Sequence, residues 1–205
     1  MDELKAETGC LECGRRPADQ WLDGDGPLCD PCLDGRISTA TGMPKLPLAP
    51  PPIEVEGGDG RRHVLRYRLW RAPTGISVRL VEECRATDEG FEFGVLGDHD
   101  ADVNQLLARV RAKAEAEISH CYLEPDPRGT GWRLADEEVA GRLVWNPDGS
   151  PFRVVVDGRT LSWAELGEAL SSFEGCRFRL TIDDSLADAR SEAAKAALGG
   201  HGTPN

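Results

Sequence analysis

Two closely spaced cysteine pairs stand near the start of the chain, in residues 10–32, CLECGRRPADQWLDGDGPLCDPC. The pattern is C-x2-C-x15-C-x2-C, formed by Cys10, Cys13, Cys29 and Cys32. Two thiolates three residues apart reach one metal ion from a tight turn, and a second such pair completes a tetrahedral shell of sulfurs. The spacing therefore predicts one bound Zn²⁺ ion. Because the four sulfurs leave no ligand position open, we expect the zinc to be structural.

The remaining cysteines argue against a disulfide framework. Cys84, Cys121 and Cys176 are scattered, and the total of seven is odd, which favours reduced thiols. A redox-active C-x-x-C motif is the alternative interpretation of either pair. It explains one pair only, and the strand–helix context it requires is missing from the pattern.

The segment around the four cysteines resembles the zinc-ribbon and treble-clef zinc fingers. The resemblance rests on the cysteines, on Gly14 after the first pair, and on a short hairpin with its turn at residues 23–26. In a treble clef the second pair opens a helix, but residues 33–36 are a weak helix start, so both families stay open. The rest of the chain is not recognised. Residues 61–125 loosely resemble the βββα modules of HicB-type antitoxins in element order and in the acidic helix start GDHDADVNQLLARV at 97–110, which is too little to transfer function.

Composition divides the chain into four regions. Residues 1–36 form the predicted zinc finger, which we expect to fold by itself, and residues 37–60 are predicted to be a connector. Five prolines stand between positions 44 and 52, and such a stretch favours extended polyproline II over a helix or a central strand. Residues 61–184 are predicted to be the main domain, with 61–125 and 139–184 as its subdomains. Residues 185–205 are predicted to be a short helix and a disordered tail.

The main domain is predicted to belong to the α+β class. Apolar residues alternate with polar ones in three successive segments from residue 63 to residue 95, which indicates antiparallel strands with one buried face. A helical pattern follows over residues 103–121. The second half reads ββαβ, with a capping box at Ser162 and Glu165 and a last strand at 176–182. The order βββα and then ββαβ does not decide between one sheet and two.

Charge limits the classes of partner. The 205 residues carry 24 basic and 36 acidic side chains, giving a net charge of −12, which argues against a general affinity for nucleic acid. The first 36 residues have a net charge of −5. No apolar run reaches the roughly 18–20 residues that span a bilayer, and the first residues do not resemble a signal peptide. We therefore expect a cytoplasmic protein.

One basic face and two catalytic candidates remain. Arg66, Arg68 and Trp70 share one face of the first predicted strand, where they would suit RNA or an acidic protein; the alternative is a solvated face with cross-strand pairs to glutamates such as Glu92. His99 and Asp157 are the catalytic candidates, although adjacent side chains rarely point at one atom, which favours a helix-capping loop for His99. No complete set of nucleophile, base and electrophile is visible.

The leading hypothesis is a zinc-containing protein-interaction module that acts as an adaptor, a regulator or an antitoxin-like neutraliser and binds another protein. The alternatives are a nucleic-acid-binding protein that uses the finger and the arginine face, and an unrecognised enzyme.

Overall fold

The computed structural model describes residues 9–22, 24, 26–83, 89–129, 131–146 and 152–182. The short helix and tail predicted for residues 185–205, and Cys84, lie outside these residues. Within the described part, no helix is both long and apolar enough to cross a membrane.

The cysteine-rich region is a hairpin followed by a helix. Strand β1 (Gln20–Leu22) pairs antiparallel with β2 (Gly26–Leu28), as the sequence predicts. Helix α1 (Asp30–Thr41) begins directly after Cys29, with a proline in its first turn, where the missing N–H of proline costs nothing. It ends at Gly42, whose left-handed backbone lets its N–H bond to the carbonyl of Ser38.

The main sheet has four antiparallel strands in the order β3-β4-β5-β6. They are β3 (Ile53–Glu56), β4 (Arg62–Ala72), β5 (Gly75–Glu82) and β6 (Glu92–Gly97). Helix α2 (Val103–Ile118) covers one face and begins at Asp102, whose carboxylate accepts a hydrogen bond from the N–H of Asn104. Buried residues of β4, β5, β6 and α2 form one core between sheet and helix.

A second unit follows α2 and has its own sheets, so the question that periodicity left open is decided in favour of separate sheets. Its strands are β7 (Leu123–Pro125), β8 (Trp132–Leu134), β9 (Arg142–Val144), β10 (Arg153–Val156) and β11 (Arg159–Leu161). β7 pairs with β8, and the other three strands lie in the order β11-β10-β9. Helix α3 (Trp163–Ala169) carries the predicted capping box and leads into a 3₁₀ turn at Ser171–Phe173.

Two expectations need correction. The connector predicted for residues 37–60 contains the end of α1 and the whole of β3. β3 starts directly after the last proline and lies at the sheet edge, the position that a proline-flanked strand tolerates. The last strand predicted at 176–182 does not form: residues 174–182 are all exposed and pair with no described strand. The alternation there is genuine, but a strand also needs a neighbour.

Candidate metal centre

Four cysteine sulfurs converge in the amino-terminal region. Cys10 and Cys13 come from the turn that precedes β1, whereas Cys29 and Cys32 come from the start of α1. All four sulfurs lie within 4.8 Å of one another, and the sulfurs of Cys13 and Cys29 are 3.8 Å apart. This arrangement suits one metal ion bound by four thiolates.

Local backbone geometry explains why the sulfurs meet. The chain reverses after the first pair, where Gly14 has a φ of 59° and its N–H donates to the carbonyl of Cys10 at 2.9 Å. That left-handed conformation favours glycine. On the other side, the N–H of Cys32 donates to the carbonyl of Cys29 at 3.0 Å, which closes the first turn of α1. Leu28 is fully buried beneath Cys10 and Cys29.

The environments of the thiols differ. For Cys10 burial is the largest influence and acts to raise the pKa, but hydrogen bonds with the backbone at Cys13, Cys29 and Glu12 outweigh it and lower the pKa to about 6. For Cys32, burial and then the neighbouring thiols raise the pKa above its ordinary value. Four thiolates at this separation repel one another unless a cation lies among them. The cluster is therefore suited to a divalent metal ion, which favours the thiolate form of every ligand.

The helix that carries two of the cysteines packs against β4. The carboxylate of Asp30 accepts hydrogen bonds from Nε and Nη2 of Arg68 at 3.1 and 3.2 Å, and Nη2 of Arg68 also donates to the carbonyl of Asp19. Asp19 lies 3.5 Å from Arg66 across the same contact. Acidic residues of the finger thus meet the arginines of the sheet.

A further ion pair between α1 and β4 is buried. Nε of Arg71 donates to Oδ1 of Asp34 at 3.0 Å, and both side chains are 5% exposed. The other carboxylate oxygen of Asp34 accepts from the N–H of Leu46 at 2.8 Å, and Arg71 also donates to the carbonyl of Pro44. Helix α1, the connector and strand β4 are hydrogen-bonded to one another here. The finger therefore packs against the main sheet and is not separated from it by a linker.

The predicted binding face is therefore largely occupied from within the chain. Arg66 and Arg68 bind the finger's aspartates, and the ring of Trp70 has the guanidinium groups of Arg68 and Arg79 at 5.6 and 5.1 Å. Glu92, the partner considered from sequence, pairs with Arg79 and Arg142 instead.

The two catalytic candidates lie in different places and each has a structural role. His99 is exposed, with its Nε2 3.2 Å from the carbonyl of Pro73. Asp157 occupies the β10–β11 turn with a φ of 49°, and its Oδ2 accepts from the N–H groups of Tyr122 and Leu123 at 2.9 and 2.7 Å. Both arrangements are those of residues that shape loops and turns.

Sequence reasoning missed a buried histidine. The side chain of His63 is 7% exposed and lies between Glu82, at 2.7 Å from its Nδ1, and Asp59, at 3.6 Å from its Nε2. Burial, the largest influence on Asp59, acts to raise its pKa, but the hydrogen bond from the backbone of Arg61 and the attraction to His63 lower it overall. Buried and less buried residues alternate along β4, and His63 belongs to the buried set. This alternation in the sequence could have predicted that His63 is buried.

The comparisons with known proteins cover both units. Residues 47–119 match a domain of unknown function, DUF7686, and residues 122–187 match a second domain of unknown function, DUF7713. The boundary between the two matches falls between α2 and β7, where the structure also passes from one unit to the next. The four cysteines precede both matched regions.

A curated relative is the 1,4-alpha-glucan branching enzyme GlgB 1 of Rhizobium etli, 27% identical over 126 residues. The aligned region is 57% of this chain and 17% of that enzyme, so the chain spans less than a fifth of the relative's length. No solved structure matches the chain.

Proposed function

We propose that this chain is a zinc-stabilised protein-interaction module that acts as an adaptor, a regulator or an antitoxin-like neutraliser. The observation that carries the proposal is the convergence of four cysteine sulfurs on a helix whose aspartates bind the main sheet. A metal ion at that point holds the hairpin and α1 in place. Its role is then to position a surface, which is the task of a structural metal site.

The donor set supports zinc as the metal. Four thiolates in a tetrahedral arrangement favour zinc or iron over magnesium and calcium, which prefer oxygen ligands. A second cysteine pair that opens a regular helix, as Cys29 and Cys32 do, supports the treble-clef form over the ribbon. The proposed stoichiometry is one zinc ion per chain.

The outward side of the finger is the proposed contact surface. Asp30 and Asp34 are buried against the sheet, whereas Leu11 is 68% exposed and Trp21 is 50% exposed. Both lie beside Pro27: Trp21 is its strand partner, and the N–H of Leu11 donates to its carbonyl at 2.9 Å. Exposed large apolar side chains grouped in this way are typical of protein contacts.

Two other functions are less well supported. A nucleic-acid interface would need Arg66 and Arg68 free, and both are engaged by the finger's aspartates. The similarity to the branching enzyme covers only 17% of that protein, which supports a shared segment but does not support assigning that enzyme's activity to this chain.

The test combines metal content with partner capture. The wild-type chain is expected to co-purify with one zinc ion and to retain a specific protein from a lysate of its own cell, identified by mass spectrometry. Trp21→Ser should keep the zinc and lose the partner. Arg15→Ser is the matched control, because Arg15 is exposed on the same finger. Equal capture by wild type and Trp21→Ser would contradict the proposed surface.

A further inference from the structure

A carboxy-terminal segment of the chain, residues 176–182, has the pattern of a strand but pairs with no strand in the part of the chain that the structure describes. Phe178, Leu180 and Ile182 are 87%, 68% and 67% exposed. They alternate with polar residues, Arg177, Arg179 and Thr181, as in a strand with one apolar face. The segment nevertheless belongs to the matched domain, because the match to DUF7713 runs on to residue 187. Leaving three large apolar side chains in water is unfavourable relative to burying them.

The same unit contains an open sheet edge with an apolar surface beside it. β9 is the last strand of the order β11-β10-β9 and pairs only with β10 among the described strands. Leu143 of β9 lies opposite Val154, a residue of the buried core, and is 46% exposed. The face of this sheet that packs on the core is therefore partly exposed to solvent at β9.

Two aromatic rings extend that surface. Trp145 directly follows β9 and Phe152 directly precedes β10, next to the last register pair Arg153↔Val144. Their ring centroids are 5.7 Å apart, and they are 67% and 50% exposed. The acceptor surface, defined as the β9 edge with Leu143, Trp145 and Phe152, thus matches the donor segment 176–182 in apolar character and in its need for a neighbour.

We propose that the donor segment of one chain adds as a strand to the β9 edge of a second copy, and that the second copy returns the same contact. A second copy is the occupant that the chain itself supports, since within the described residues both the amphipathic segment 176–182 and the outer edge of β9 pair with no other strand. Strand addition satisfies the backbone groups of β9 and covers the three apolar side chains. Reciprocal exchange of one segment is a low-cost route to a closed two-fold dimer. This surface is separate from the finger's Leu11 and Trp21, so the dimer goes beyond the proposed function.

The test measures association of the full, metal-loaded chain by sedimentation velocity. The wild type is expected to sediment as a dimer. Leu180→Asp, on the apolar face of the donor segment, should raise the dimer dissociation constant at least about tenfold, the change that 1.4 kcal/mol produces. Thr181→Asp is the matched control: it adds the same charge one residue away, on the polar face, and should leave the dimer intact. A monomeric wild type, or equal effects of the two substitutions, would overturn the proposal.

A mixing experiment tests the exchange itself. Trp145→Asp damages the acceptor surface and keeps the donor segment, whereas Leu180→Asp does the reverse. Each variant alone should be monomeric, while their mixture should form a mixed dimer through the one remaining intact joint. Far-UV circular dichroism of the two monomeric variants should be the same, because both changed residues are exposed. Two monomeric variants that do not associate on mixing would exclude strand exchange.

Discussion

Arg71 of β4 and Asp34 of α1 form a buried ion pair, with Nε of the guanidinium 3.0 Å from Oδ1 of the carboxylate and 5% of each side chain exposed. Asp34 lies two residues after Cys32, in the helix that two of the four cysteines open. The pair therefore connects the candidate metal centre to the main sheet. Because both charges are shielded from water, each depends on the other for compensation.

Breaking this pair should be costly. Asp34→Ala leaves the Arg71 guanidinium buried without its carboxylate, and removing one partner of a buried pair costs about 3–5 kcal/mol of the free energy of unfolding. Urea unfolding followed by circular dichroism measures the change. The double variant Asp34→Ala with Arg71→Met should recover part of the loss, because the orphaned charge is then absent.

Glu115→Ala supplies the control for that experiment. It removes an ion pair with Arg111 on the exposed side of α2, where both side chains are about half exposed, and exposed pairs contribute little. An Asp34→Ala variant no less stable than Glu115→Ala would contradict the importance of the buried pair.

Removal of the metal should loosen β4 as well as the finger. The finger contacts β4 through Asp30–Arg68 and Asp34–Arg71, so its unfolding withdraws both carboxylates from the strand. We expect a thiol-competing chelator to speed amide hydrogen exchange in residues 62–72. The strands β10 and β11 serve as the internal control, since they lie in the second unit. Unchanged exchange in β4 after complete metal loss would show that the finger folds independently, as the sequence first indicated.

Replacing glycine by alanine should have opposite effects on stability at Gly75 and at Gly167. A Cβ at Gly75 would overlap the carbonyl oxygen of Gly97 on the neighbouring strand, and its φ of 146° disfavours side chains. We expect Gly75→Ala to destabilise the protein by roughly 1–3 kcal/mol. Gly167 lies inside α3 with open space around it, so Gly167→Ala should stabilise by about 0.5–1 kcal/mol. Thermal unfolding of both variants measures the two signs, and a loss of stability in Gly167→Ala would contradict this account of α3.

The capping box of α3 should make a pH-dependent contribution. Ser162 and Glu165 bond reciprocally, with Glu165 Oε2 2.7 Å from the N–H of Ser162, and hydrogen bonding from the Ser162 backbone lowers the pKa of Glu165 below its usual 4.5. A carboxyl whose pKa is lowered on folding stabilises the folded state above its unfolded pKa, and this contribution disappears as pH falls through the folded pKa.

The measurement compares Glu165→Ala with wild type across that range. The difference in unfolding free energy should be constant near neutral pH and should shrink below pH 4.5. Ser162→Ala should cost about 0.5–2 kcal/mol at neutral pH. Glu168→Ala, an exposed change in the same helix, is the control and should show no such trend; a trend equal to that of Glu165→Ala would contradict the assignment.

Local patterns predicted the parts of the fold that depend on neighbouring residues. The cysteine spacing, the β1–β2 hairpin, the α2 stripe and the Ser162 capping box each involve residues close in sequence, and each appears in the structure. The α+β class follows from their order.

Contacts between distant residues were not predictable in the same way. Arg71 and Asp34 are 37 positions apart, and the finger offers nine acidic residues to the four arginines of β4, so charge alone does not select the pairs. The donor segment illustrates a second limit of sequence-based prediction. Phe178, Leu180 and Ile182 alternate as in a strand, but this alternation predicts only which side chains share a face. It does not predict which sheet edge the strand pairs with.

X-ray absorption at the zinc edge, with metal content determined on the same sample, identifies the atoms that surround the metal. We expect one zinc ion per chain with four sulfur neighbours at about 2.3 Å, and loss of that signal in Cys29→Ser. A chain without metal whose residues 9–42 remain ordered, or a zinc ion with oxygen or nitrogen neighbours, would contradict this expectation.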